Sequence, residues 1–252
     1  MSPTLFAFCV AAAFGAGFID AIAGGGGLVT VPALTLAGLD PVSALATNKL
    51  QSAFGSGSAM RTFVRAGHLG WDEARPVALA AAAGAVAGAL LVSHLPVEWV
   101  ARVLPFALAF AALYFVLSPR LSDAPTRPRL SRRAFLCGFI PAVGFYDGVF
   151  GPGAGSFYML GFVGLLGLGV VTATARTKAA NFASNVAALA ALAATGHVVW
   201  GLGLAMGAAQ FFGARLGARA AIRNGARLIR PMLAGVCLAV AAKLALSQWG
   251  IF

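Results

Sequence analysis

Gly17-Phe18-Ile19-Asp20-Ala21-Ile22-Ala23-Gly24-Gly25-Gly26-Gly27 decides how this chain is read. An acidic residue and a run of glycines stand inside an otherwise apolar stretch. A diverged copy returns as Gly144-Phe145-Tyr146-Asp147, followed by Gly151-Pro152-Gly153-Ala154-Gly155. The offset between the aspartates is 147 − 20 = 127. Further along, Lys49, Gly67, His68 and Trp71 correspond to Lys178, Gly196, His197 and Trp200, at 178 − 49 = 129. Gly84 and Gly88 correspond to Gly213 and Gly217 at that same offset. One short insertion near the glycine turn reconciles the two offsets. Chance supplies matching glycines in so glycine-rich a chain, but not Asp, Lys, His and Trp in the same order. Such self-similarity marks a duplicated structural unit.

Composition supplies the setting. Of 252 residues 60% are hydrophobic and 10% charged, with a mean hydropathy of +0.88. Soluble domains carry roughly 25% charged residues, so most of this chain faces something other than water. The expected fold class is an all-α polytopic membrane protein, one transmembrane domain over 1–252, with repeat 1 at 1–118, a basic linker at 119–133 and repeat 2 at 134–252. The net charge of +11 does not point to nucleic acid, because 13 of the 18 Lys and Arg fall in three polar connections. These hold Arg61, Arg65 and Arg75; Arg120, Arg127, Arg129, Arg132 and Arg133; and Arg215, Arg219, Arg223, Arg227 and Arg230. Basic loops between apolar spans are what cytoplasmic orientation produces. Cys9, Cys137 and Cys237 show no metal-ligand spacing and read as packing residues. The N-terminus shows no basic n-region or cleavage site, so the first segment is expected to belong to the mature fold.

Each repeat reads as one interrupted apolar segment followed by three helices: 4–37, 43–64, 76–95 and 98–118, then 134–168, 171–194, 198–221 and 228–249. The interrupted segments hold 34 and 35 residues. As straight helices at ~1.5 Å per residue they would be about 50 Å long, against a hydrocarbon core of ~30 Å. The glycines therefore predict a broken or re-entrant pair whose unwound turn lies within the membrane, inside protein or beside a water-filled cavity. If each pair enters and returns, the repeats are inverted and all three basic connections fall on one side. The expectation is inverted repeats, basic loops cytoplasmic and both termini periplasmic.

Asp20 and Asp147 precede the turns. Each hydrogen-bonds an unwound backbone or a neighbouring Lys purely for structure, or couples a proton or cation, or caps the short helix; an ionised carboxylate at such depth must be paired or solvated. Lys49 and Lys178 either snorkel to the interface or meet near the midplane as a cationic centre for an anion. Half-helix N-termini at Gly24, Gly25, Gly26 and Gly27, and at Gly151, Gly153 and Gly155, present free N–H groups and a positive dipole end. Ser156 and Pro32 are read at helix starts. Asn48, Asn181 and Asn185 add neutral polar contacts. Arg176 is read as interfacial, and the His68/Trp71 and His197/Trp200 pairs as interfacial anchors. Neither turn is followed by the Lys-Ser/Thr pair of a nucleotide P-loop. No cofactor, metal site or catalytic residue is expected; an intramembrane enzyme is the least favoured class and an anion channel the nearer alternative.

The run from Gly17 through Leu34, followed by Ala46-Thr47-Asn48-Lys49, resembles the TauE/SafE family of sulfite-exporter-like membrane proteins. The second motif, through Ser156-Phe157, is similar to its YfcA-like branch. The resemblance implies a duplicated bacterial inner-membrane protein that moves sulfite, thiosulfate, sulfonates or other organic anions. It also implies roles for Gly24 to Gly27, Pro32, Asn48, Lys49, Gly151, Gly153, Gly155 and Lys178. The expected partners are the lipid bilayer, a small anion and a coupling proton or cation.

Overall fold

The computed structural model describes residues 1–96, 98–99, 124–225, 227–229 and 231–232. Every element among them is a helix. The first half contributes α1 (Pro3–Ala23), α2 (Gly27–Leu36), α3 (Pro41–Arg65) and α4 (Trp71–His94). The second contributes α5, which opens at Arg132–Ala134, passes through a π-helical turn at Phe135–Phe139 and continues as Ile140–Val149. Then follow α6 (Ala154–Gly164), α7 (Val170–Ala193) and α8 (Trp200–Asn224). The interrupted segments are helix pairs broken at the glycines, and the two following helices of each half agree with the sequence reading to within a few residues. The helices expected over 98–118 and 228–249, with Cys237, lie almost wholly outside the described residues.

Local chemistry sets the boundaries. Ser2 caps α1 through Leu5 N–H at 3.3 Å. Asp40 caps α3 through Val42 and Ser43 N–H, both at 3.0 Å, with Pro41 in the first turn. Such caps satisfy backbone donors that the helix leaves unpaired. Pro32 is a correction: it is the sixth residue of α2, not part of its first turn. There it removes the donor that would bond the Leu28 carbonyl.

α1 and α4 are long and apolar enough to cross a membrane. α3 and α7 are less apolar because they bury Thr47, Asn48, Lys49 and Gln51, and Thr177, Lys178, Asn181 and Ser184. Meanwhile Leu79 is 72% and Phe212 59% exposed. Polar side chains inside and large apolar ones outside is the arrangement a lipid surround requires.

The halves interlock. α1 packs chiefly on α8, and α5 on α4, so each half's first helix lies on the other half's fourth. Glycines set these contacts in parallel register: Gly213 and Gly217 abut Phe14 and Phe18, while Gly84 and Gly88 abut Pro141 and Phe145. α3 and α8 are also parallel, with Gly203, Gly207 and Phe211 beside Thr47, Phe54 and Ser58. α3 and α7 cross in opposite directions: Gly57 meets Phe182, and Val199, just beyond α7, bonds Thr47 near the start of α3. Close backbone approach through small residues is how helices associate without a hydrophobic driving force.

A Cβ on Gly84 would fall 2.0 Å from the Pro141 carbonyl oxygen, and one on Gly213 2.0 Å from that of Phe14. Gly84→Ala or Gly213→Ala is therefore expected to cost about 1–3 kcal/mol of stability through overpacking. Gly15, within α1, has open space around it, and Gly15→Ala should gain ~0.5–1 kcal/mol. Unfolding curves in detergent check the ordering; similar stabilities for all three variants would refute this packing.

Candidate functional site between the glycine turns

α1 ends at Ala23 because Gly24 and Gly25 take φ of +79° and +83°. Gly151 and Gly153, at +87° and +85°, break the second pair in the same way. A left-handed conformation costs an L-residue ~1–2 kcal/mol, so glycine is the residue for these positions. The two turns are pressed together. A Cβ on Gly24 would lie 2.5 Å from the Ser156 nitrogen, and one on Gly27 3.1 Å from Pro152 Cα. Ser156 Oγ donates to the Ala23 carbonyl at 2.7 Å, tying the start of α6 to the end of α1. Tyr146 Oη donates to the Pro152 carbonyl at 2.8 Å and steadies the second turn from within its own half.

The ionisable residues pair across the halves. Lys49 Nζ lies 2.6 Å from Asp147 Oδ1, and Lys178 Nζ 3.1 Å from Asp20 Oδ2. Each ammonium also donates to the backbone carbonyl of the aspartate it binds. The other carboxylate oxygens are occupied too: Gly26 N–H donates to Asp20 Oδ1 at 3.1 Å, and Ser184 Oγ donates to Asp147 Oδ2. Both lysines are buried. A buried ammonium must have a counter-ion close by, and here the opposite repeat supplies it. The lysines neither reach out to the interface nor share one cationic centre. The structure gives each its own aspartate instead. Arg176, read as interfacial, bonds Glu73 at 2.6 Å, again across the halves. Cys9 is buried, as a packing residue is, whereas Cys137 is exposed.

Between the turns lies a small polar cavity lined by Asp20, Gly25, Gly26, Gly27, Asn48, Ser52, Asp147, Gly151, Gly153, Gly155, Asn181 and Asn185. Eight of the sequence-predicted binding residues are therefore brought together: Gly25, Gly26, Gly27, Asn48, Gly151, Gly153, Gly155 and Asn181. The other four stand behind them. Gly24 and Ser156 form the contact between the turns, while Lys49 and Lys178 hold the carboxylates. Ser52 was not anticipated; it is the counterpart of Asn181 at the offset of 129, and the repeat itself carried that signal. Ser184 was missed as well, since a serine on an apolar helix gives no local sign of a carboxylate 37 residues away.

The cavity is rich in donors. Among the described residues no intramolecular hydrogen bond engages the N–H of Gly25, Gly27, Gly153 or Gly155. Asn48 Oδ1 accepts from Thr30 Oγ1 at 2.6 Å and from Gln51 Nε2 at 2.8 Å, which leaves its amide nitrogen beside Gly27. The Asn181 amide nitrogen sits likewise beside Gly155. Each lysine is paired with one aspartate, so backbone and amide donors dominate what a guest would meet. The free volume is about 20 Å³, room for roughly one water. In this conformation the turns are closed on one another.

Known proteins place the chain. The family described as sulfite exporter TauE/SafE matches residues 9–244. "Probable membrane transporter protein ORF9" of Sinorhizobium sp is 51% identical over 240 residues, covering 95% of this chain and 92% of its own. "Probable membrane transporter protein YfcA" of Escherichia coli strain K12 is 41% identical over 250 residues, covering 99% and 93%. A "probable membrane transporter protein" of Haemophilus influenzae is 40% identical over 241 residues, covering 96% and 94%. No solved structure matches. Matched over nearly its whole length by that family and by proteins named as probable membrane transporters, the chain belongs to the TauE/SafE family.

Proposed function

We propose that this protein is a secondary transporter of a small anion, a sulfite, sulfonate or related oxyanion, across the bacterial inner membrane. The observation that carries the reading is the apposed pair of glycine turns, with unbonded N–H groups and asparagine amides around one cavity. Two half-helix N-termini facing one site suit an anion. Family membership agrees.

The halves are read as inverted repeats. The parallel registers of α1 with α8 and of α3 with α8 support this, because α1 and α3 then run the same way and α2 must lead the chain back between them. The crossing of α3 and α7 in opposite directions supports it too. Arg61 and Arg65 end α3, Arg132 and Arg133 open α5, and Arg219 and Arg223 close α8; these registers bring all of them to one end, read as cytoplasmic.

Transport follows by rocking one half against the other around the site. A cavity of one-water size supports a carrier over a channel: the anion enters only when the turns part. Parting them stretches the two cross-half ion pairs. A proton taken by Asp147 or Asp20 releases its lysine, and the free ammonium then serves the anion, so the two cross together. In proteoliposomes, sulfite or sulfoacetate flux should rise several-fold when a proton gradient points in the direction of substrate movement. Asp147→Asn/Asp20→Asn should retain binding and lose this acceleration. Flux indifferent to the proton gradient would remove the coupling step, and absence of any anion flux would remove the function.

A further inference from the structure

The second polar feature lies away from the glycine turns, where α3 and α8 end. A cavity of about 340 Å³ there is lined by Arg61, Arg65, Arg215, Arg219 and Arg223, with Thr62 and Ile222. The arginines form two ladders spaced four residues apart on parallel helices, so they face one another along the cleft. Like charges at this spacing repel. Among the described residues none of the five lies within ion-pair distance of a carboxylate.

A second cleft adjoins the first. Ala53, Phe54, Gly57 and Phe182 line an apolar groove of about 280 Å³, and Ser58 and Phe211 line both this groove and the arginine cavity. At the junction Ser58 Oγ donates to the Phe211 carbonyl at 2.8 Å. One continuous depression thus runs from arginines at the helix ends to aromatic walls deeper in the bundle. Residues 53–58 lie roughly 5–18 Å further in than Arg61 and Arg65, from the ~1.5 Å rise per residue.

The fold does not require these arginines. At the offset of 129 their counterparts are Ala190 and Ala194 for Arg61 and Arg65, and Val86, Leu90 and His94 for Arg215, Arg219 and Arg223. A general excess of cytoplasmic charge explains basic loops. It does not explain guanidinium groups set within helices and gathered around one concavity that continues as an apolar groove.

We propose that this depression binds an anionic phospholipid, with the headgroup phosphate among the arginines and an acyl chain in the groove. Guanidinium groups bond phosphate oxygens two at a time, and basic clefts between membrane helices at the cytoplasmic face are suited to such headgroups. The groove supplies what a soluble anion lacks, an apolar tail site collinear with the charge. α3 carries both the cleft and Lys49, so an occupied cleft bears on the helix that must move when the turns part.

Native mass spectrometry of the detergent-solubilised protein, with phosphatidylglycerol and phosphatidylcholine added in equal amounts, tests this. Phosphatidylglycerol should be retained at least tenfold over phosphatidylcholine. Arg215→Gln/Arg219→Gln should abolish that preference, and because the arginines are exposed and mutually repulsive the variant should melt no lower than the wild type. Gly57→Leu, which fills the groove and keeps every arginine, should reduce retention of phosphatidylglycerol as well. Equal retention of the two lipids, or an undiminished preference in the arginine variant, overturns the proposal. So does a melting shift from inorganic phosphate alone as large as that from phosphatidylglycerol, which would make this a soluble-anion site.

Discussion

Lys49→Met is expected to lower stability by about 3–5 kcal/mol, because it leaves Asp147 ionised, buried and without its partner. The double variant Lys49→Met/Asp147→Asn should recover most of that loss, since no uncompensated charge remains and the amide oxygen still accepts from Ser184. Transport should not recover with it. If the anion uses the ammonium once the carboxylate releases it, the double variant lacks that donor. A lost charge-assisted hydrogen bond is worth ~1.5–3 kcal/mol, or roughly ten- to hundredfold in flux at low substrate. Lys178→Met/Asp20→Asn should behave alike, with a smaller stability loss in its single variant. The Asp20 side chain is 13% exposed against 3% for Asp147, and so is less dependent on its partner. Thermal unfolding and proteoliposome flux measured on the same samples separate the two roles. Recovery of both in the double variant would reduce the pairs to structural pins.

Gly24→Ala is expected to abolish transport through geometry alone. Gly24 has φ of +79° and ψ of −178°, a region essentially reserved for glycine, where another residue costs ~1–3 kcal/mol. Its Cβ would also lie 2.5 Å from the Ser156 nitrogen and 2.7 Å from the Gly155 carbonyl carbon. These are backbone atoms that cannot swing aside, so the turns must part and the donors around the cavity lose their common focus. Gly38→Ala provides the contrast. Gly38 has φ of +92° with nothing within 4 Å of its Cβ position, so that change strains the backbone without separating anything. It should reduce stability and leave flux near wild type. Comparable flux in the two variants would show that close contact of the turns is not needed.

Much of this could be read before any coordinates. The glycine breaks follow from local conformational preference. The basic connections follow from position relative to apolar spans. The repeat placed Asp20 with Asp147 and Lys49 with Lys178 as equivalents, and eight proposed binding residues do line one cavity. Pro32 shows the limit of such reading even locally: a proline after four glycines points to a helix start, but α2 starts at Gly27, and the break is only three residues wide.

What the sequence by itself determined is therefore a duplicated, lipid-embedded helical unit, broken twice at residues that only glycine suits, with its charge held in a few connections. These properties depend on neighbours along the chain and on the surrounding solvent. What only the tertiary structure decided is who meets whom. Residues that are equivalent in the repeat are not partners in space: Lys49 reaches an aspartate 98 residues away, and Lys178 one 158 away. The alignment pairs lysine with lysine, whereas a buried ammonium lowers its energy only against a carboxylate. The interlocked packing of α1 on α8 and of α5 on α4 places that carboxylate in the opposite half.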